Sequence, residues 1–168
     1  SFINIFGLAI GMAVTIMITL WVIDELNFNT FFENHDQIAQ VYQSQTSNGI
    51  TGTGQAIPRP LENLLRQEYG SNFKHLSMAS WNNSMYLEYG DNTISKSGNF
   101  MQEEAIDIFK LKIIKGEANG LKEQNSIMLS ESTAKALFGN EEVIGKIIKV
   151  NNEYDMLVTS VFEDIPRN

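Results

Sequence analysis

The stretch NIFGLAIGMAVTI, from Asn4 to Ile16, carries no charge and places two glycines, Gly7 and Gly11, four residues apart. Glycine costs a helix in water roughly 1 kcal/mol relative to alanine, so two of them in an apolar run need a reason. The run extends beyond this stretch. No Asp, Glu, Lys, Arg or His occurs from Ser1 to Ile23, and the first charges are Asp24 and Glu25. As a helix such a segment covers about 34 Å, against about 30 Å for the hydrocarbon core of a bilayer. The expectation is a transmembrane helix over residues 1–23. A cleaved signal peptide needs a basic leader and a small-residue cleavage site. No Lys or Arg precedes the run, and Leu20-Trp21-Val22-Ile23 is no such site. A buried core helix of this length usually carries some polar face, and is apolar all round only in a large core.

In lipid, small residues four apart let two helix backbones approach closely. Gly7 and Gly11, extended by Ala9 and Ala13, then read as a low-relief side for packing against another membrane helix. The plainer reading is that glycine is simply common in membrane helices. Trp21, near the charged end, suits a membrane–water interface.

The remaining residues, 24–168, have the composition of a soluble domain and carry all of the net charge of −8. An acidic balance speaks against nucleic acid and against an anionic membrane surface as partners. The first basic residue is Arg59, and cytoplasmic flanks of membrane helices are enriched in Lys and Arg. The domain is therefore expected outside the cytoplasm. The absence of cysteine leaves the redox compartment open.

Phe28, Phe31 and Phe32 crowd the exit from the apolar run, placed to meet the interface or to pack under the domain. The alternation in IAQVYQ, Ile38 to Gln43, predicts a first strand, and SNGITGTGQ, Ser47 to Gln55, reads as a polar glycine-rich loop. A helix follows with Pro60 in its first turn and Gly70 as its stop. HLSMASWNN reads as a strand, and SMYLEYGDNTISKSG as a hairpin turned at Gly90-Asp91-Asn92. QEEAIDIFKLKIIKGE is a short helix running into a strand, and NSIMLS is a strand. ESTAKALFGN is a helix capped by Ser130 and ended by Gly139, with Ala134, Leu137 and Phe138 as its buried stripe. Two antiparallel strands joined near Asn151-Asn152 complete the chain. The order is α+β.

No catalytic set emerges. GITGTGQ lacks the Gly-Lys-Ser/Thr of a phosphate loop, and its context is wrong for a dinucleotide fold. Ser132-Thr133-Ala134-Lys135 fits Ser-x-x-Lys without its companion motifs. His35 and His75, the only histidines, lack the ligand spacing of a metal site. The adjacent carboxylates Asp24-Glu25, Glu103-Glu104 and Glu141-Glu142 diverge on a helix or strand. Neither a cofactor nor an enzymatic activity is expected.

FINIFGLAIGMA followed by DELNFNTFFENHDQIAQVY resembles the first transmembrane helix and domain entry of bacterial ABC transporter permeases of the MacB/FtsX-like type. SGNFMQEEAIDIFKLKIIKGE, and NSIMLSESTAKALFGNEEVIGKIIKVNNEYDMLVTSVFEDIPRN above all, resemble their MacB-like periplasmic core domain. The match runs end to end and is weakest over residues 44–99. This chain has Val143 where the family often has proline, and Ser160 where it often has glycine.

The resemblance implies a non-catalytic permease component in the bacterial inner membrane. Its soluble domain, residues 24–168, would lie in the periplasm as two small subdomains, incomplete at the C-terminus because the chain ends at Pro166-Arg167-Asn168. It implies a cytoplasmic ABC ATPase as partner, fused or separate, and a second permease copy or homologue. A periplasmic adaptor or substrate protein is a further implied partner. ATP hydrolysis would be coupled through the membrane helices to export or periplasmic work, that is, mechanotransmission. The alternative is a single-pass extracytoplasmic sensor whose ligand pocket is lined by GITGTGQ and Trp81.

Overall fold

The computed structural model describes residues 2–27 and 30–166. Helix α1, Phe2–Leu26, is one unbroken helix of 25 residues with no buried residue. A helix that is apolar all round is buried in a large core or in lipid. Among the described residues nothing covers it, which speaks against the core-helix reading. It is long and apolar enough to cross a membrane. It runs to Leu26, three residues past the expected end.

Beyond a 3-10 turn at His35–Gln37 comes the first difference from expectation. Residues 38–42 form no strand. Strand β1 is Gln43–Ser47 and β2 is Ile50–Gly54, paired antiparallel with Ser47 opposite Ile50. The expected loop is therefore half of a hairpin. Its turn, Asn48-Gly49, has both residues at positive φ, 51° and 77°. That is the type I′ turn whose twist matches the flanking strands and which Asn-Gly favours. Apart from Ile50 the strands carry no large apolar side chain, and hydroxyls face each other across them. Ser44 meets Thr53 at 2.9 Å and Thr46 meets Thr51 at 2.8 Å.

Helix α2, Pro60–Tyr69, starts at proline as expected. Gly70 follows its last residue but stays right-handed (φ −55°) and opens a 3-10 turn, Gly70–Asn72, so it is no left-handed stop. HLSMASWNN contributes one isolated bridge, Ala79 to Met101, in place of a strand. Strands β3 (Asn83–Tyr89) and β4 (Asn92–Gly98) form the expected hairpin. Helix α3 is Ala105–Phe109, followed by β5 (Ile113–Gly116) and β6 (Ser126–Ser130). Helix α4 is Glu131–Phe138, and β7 (Ile147–Val150) and β8 (Tyr154–Phe162) close the domain.

The main sheet has six strands, ordered β4-β3-β7-β8-β5, with β6 also on β8. All pairs are antiparallel except β6 with β8. Residues 160–162 of β8 pair with both β5 and β6, so those two strands take opposite edges. The architecture is the expected α+β, with a separate two-stranded sheet and a six-stranded one.

Alternation in β7 and β8 turns Ile148, Val150, Met156 and Val158 inward, where they meet Leu87, Leu129, Leu137 and Phe138. Helix α4 lies on this face, against β3, β4, β6 and β8. Its stripe is the expected one, with Thr133 added. Phe138 packs on Tyr89 with ring centroids 4.4 Å apart. Ser130 holds the N-cap position but makes no side-chain cap bond, its hydroxyl lying 3.0 Å from that of Thr133.

Candidate functional site

The candidate places are the surface of α1 and the segment that connects it to the domain. On α1, Gly7 and Gly11 have open space where a side chain would stand. A helix advances about 100° per residue, so these two lie about 40° apart. Ala9 and Ala13 are displaced from them by about 200° and belong to the opposite side. They do not extend the glycine face, as the sequence reading had it. The residues that do extend it are Thr15 and Thr19, which continue the four-residue spacing. Thr15 Oγ1 donates to Gly11 O at 2.9 Å and Thr19 Oγ1 to Thr15 O at 2.8 Å, so neither hydroxyl needs water. Trp21 is exposed.

The exit from α1 turns on Asn27, whose carbonyl accepts both the backbone N–H (3.1 Å) and the hydroxyl (2.8 Å) of Thr30. Of the exit aromatics, Phe28 lies outside the described residues. Phe31 stacks edge-on with Phe32 at 5.5 Å, and Phe32 packs on Phe109 of α3 at 5.2 Å. Asn34 Nδ2 donates to Ile108 O at 2.8 Å, while its Oδ1 is buried without a hydrogen-bond partner among the described residues. Lys110 pairs with Glu33 at 3.0 Å. Both ends of that pair are well exposed, so it contributes little.

The other end of α3 is gripped by α2. Arg66 donates from Nε to Glu62 at 2.9 Å, from Nη1 to Glu104 at 2.9 Å and from Nη2 to the carbonyl of Leu76. Glu104 also accepts the Leu76 N–H at 2.8 Å. Gln102 donates to Glu62 at 3.0 Å and accepts from the Met78 N–H at 2.8 Å. The Leu76 N–H, with help from Arg66, holds the Glu104 carboxyl below the ordinary glutamate range. Hydrogen bonds to Glu104 and Glu62 raise Arg66 further. These polar contacts fasten α2, which buries no residue fully.

Sequence reasoning missed this node. Glu62 and Arg66 are a visible i,i+4 pair, but their side-chain partners Glu104 and Gln102 lie 38 to 40 residues away. The Phe32–Phe109 contact was half legible, since the exit aromatics were placed either at the interface or under the domain.

The residues weighed for chemistry stay apart. Ser132 directs its hydroxyl to Asp164 at 2.8 Å, not to Lys135. His35 Nδ1 sits 3.0 Å from Phe32 O, and His75 faces Asp107 at 4.0 Å. No group of three or more His, Asp or Glu among the described residues could hold a metal. An open cavity of about 400 Å³ lies between the β3–β4 turn and the end of α4, and another of about 240 Å³ beside Arg66. Neither is lined by GITGTGQ or Trp81.

Among the described residues, an exposed apolar helix long enough to cross a membrane leads into an α+β domain in which the residues weighed for chemistry do not come together. Residues 1–168 match the family of MacB-like periplasmic core domains, and the chain belongs to that family. No curated protein matches the chain.

Among solved structures, the fold is similar to the extracellular domain of the noncanonic ABC-type transporter YknZ from Gram-positive bacteria. The identity is 22%, the TM-score 0.54, and the match covers 64% of this chain and 58% of that one. A domain of a putative permease from Porphyromonas gingivalis is similar at 18% identity and TM-score 0.58, over 76% of this chain and 55% of that one. The periplasmic region of MacB from Actinobacillus actinomycetemcomitans has 23% identity and a TM-score of 0.48, over 61% and 49%. The chain thus spans about half the length of these structures.

Proposed function

We propose that this chain is the first membrane span and the leading part of the periplasmic domain of an ABC transporter permease in the bacterial inner membrane. It works with a cytoplasmic ABC ATPase and with a second permease copy or homologue. Its domain passes ATP-driven movement of the membrane helices to export or to other periplasmic work. A periplasmic adaptor or substrate protein would be met by the domain. Gly7 and Gly11 are the surface on which α1 packs against a neighbouring membrane helix, because their open side admits a close backbone approach.

The observation that carries this reading is α1 itself: 25 residues of helix, none buried, leading into a domain of the MacB-like family. The absence of Lys and Arg before Arg59 supports the extracytoplasmic side.

The test is co-purification. The complete permease, extracted in mild detergent, should bring down an ABC ATPase and change its hydrolysis rate. A complete reading frame that continues into a kinase or cyclase, with no ATPase bound, would replace the permease by a single-pass sensor.

A further inference from the structure

Helix α3 is only five residues long, yet it is held at both ends, by α2 and by the segment that leads out of α1. At its start, Glu104 and Gln102 are tied to Arg66 and Glu62 of α2. At its end, Phe109 packs on Phe32, and Ile108 O accepts from Asn34. Ala105 and Ile106 are buried, at 2% and 6% exposure, so the helix cannot shift without disturbing its surroundings. Lys110, in the left-handed conformation (φ 47°), turns the chain directly into β5. β5 pairs with β8, and Glu163 N–H donates to Lys112 O at 2.9 Å.

We propose that α3 is the rigid joint through which displacement of α1 reaches the main sheet, with Phe32–Phe109 and Asn34–Ile108 as its positioning contacts. The proposal rests on the coupling reading above. Its physical basis is that movement is passed on by packed side chains and hydrogen bonds, and lost where these are loose. No residue of α1 is buried, so displacement has to enter through the exit segment. Of the ties there, the Glu33–Lys110 pair is solvent-screened. The ring contact and the amide bond remain. From α3 to β5 the chain has no slack beyond residues 110–112.

This chain has no cysteine of its own, and Phe32→Cys/Phe109→Cys is placed in the complete permease with its ATPase, with any cysteines elsewhere in permease and ATPase replaced, in nanodiscs. Backbone amide exchange is followed with and without a non-hydrolysable ATP analogue. In the parent, nucleotide should alter exchange both at residues 30–37 and at residues 105–116. In the reduced double variant the response at 30–37 persists, while that at 105–116 is lost. A short bis-thiol cross-linker should restore it. Asn34→Ala, a milder change, should weaken the response at 105–116 in the same direction, with protection of β7 and β8 unchanged. A full response at 105–116 in the reduced variant and in Asn34→Ala, or a cross-link that fails to restore it, overturns the joint alone. A parent with no nucleotide response in either segment overturns the coupling reading, and the joint with it.

Discussion

The carboxylate of Asp164 accepts the backbone N–H of Ser132 at 3.1 Å and its hydroxyl at 2.8 Å. The cap of α4 thus comes from a residue beyond the end of β8. The Ser132 hydroxyl is the chief cause holding the Asp164 carboxyl below the ordinary aspartate range. A group whose folded pKa is lowered contributes stability above its unfolded value, and that contribution is lost as pH falls through the folded value. Asp164→Ala should therefore cost about 1 kcal/mol at neutral pH, the usual cost of a missing cap. The difference from the parent should shrink below the ordinary aspartate pKa of 3.8. Urea denaturation at neutral and at acid pH measures both.

Phe138 is 5% exposed and rests on Tyr89. Phe138→Ala should destabilise the domain by about 3–5 kcal/mol, the range for a buried aromatic. Lys135→Ala, on the exposed side of the same helix, should change stability by less than about 0.5 kcal/mol. Equilibrium unfolding of the two variants checks the assignment of faces. Retained stability in Phe138→Ala would make that ring a recognition contact.

How much of this was legible depended on where the apolar residues fell. α4 and β6 to β8 were readable because period 3.6 and period 2 alternate cleanly there, and their apolar positions are the core positions. The hairpin β1–β2 was not, because Gln, Ser, Thr and Gly give no periodic apolar signal. Its Asn48-Gly49 turn was the available sign, and it was absorbed into a loop. Ile38 to Tyr42 alternates without forming a strand, since no neighbouring strand takes up its backbone. The polar node of Glu62, Arg66, Gln102 and Glu104 depends on tertiary approach, which spacing along the chain does not encode.

Ser160 is fully buried, and its hydroxyl donates to Glu117 O at 2.6 Å. A Cβ added to Gly120 would stand 2.2 Å from that hydroxyl oxygen and 2.9 Å from that of Thr159. Gly120→Ala should cost about 1–3 kcal/mol by overpacking. The Gly120→Ala/Ser160→Gly pair should lose less than the sum of the single variants, because the nearer obstacle is gone. A double-mutant cycle in denaturant measures the coupling, and strict additivity would place the two residues apart.

Gly7→Leu with Gly11→Leu should weaken assembly of the complete permease, since leucine fills the open side that close backbone approach requires. Ala9→Leu with Ala13→Leu lies on the opposite side of α1 and tests whether that face also meets a neighbour. Size-exclusion and cross-linking of the detergent-extracted complex report the outcome. Unchanged assembly in the glycine pair would make Gly7 and Gly11 incidental.

On the proposed reading, α1 spans the membrane and holds the domain outside the cytoplasm. In a complete permease whose cysteines outside this chain have been replaced, a single thiol placed at exposed Ser97 of β4 reports its side of the membrane. A membrane-impermeant maleimide applied to intact spheroplasts expressing the complete permease should label Ser97→Cys fully, with no increase on lysis. Labelling that appears only after lysis would put the domain in the cytoplasm and contradict the account.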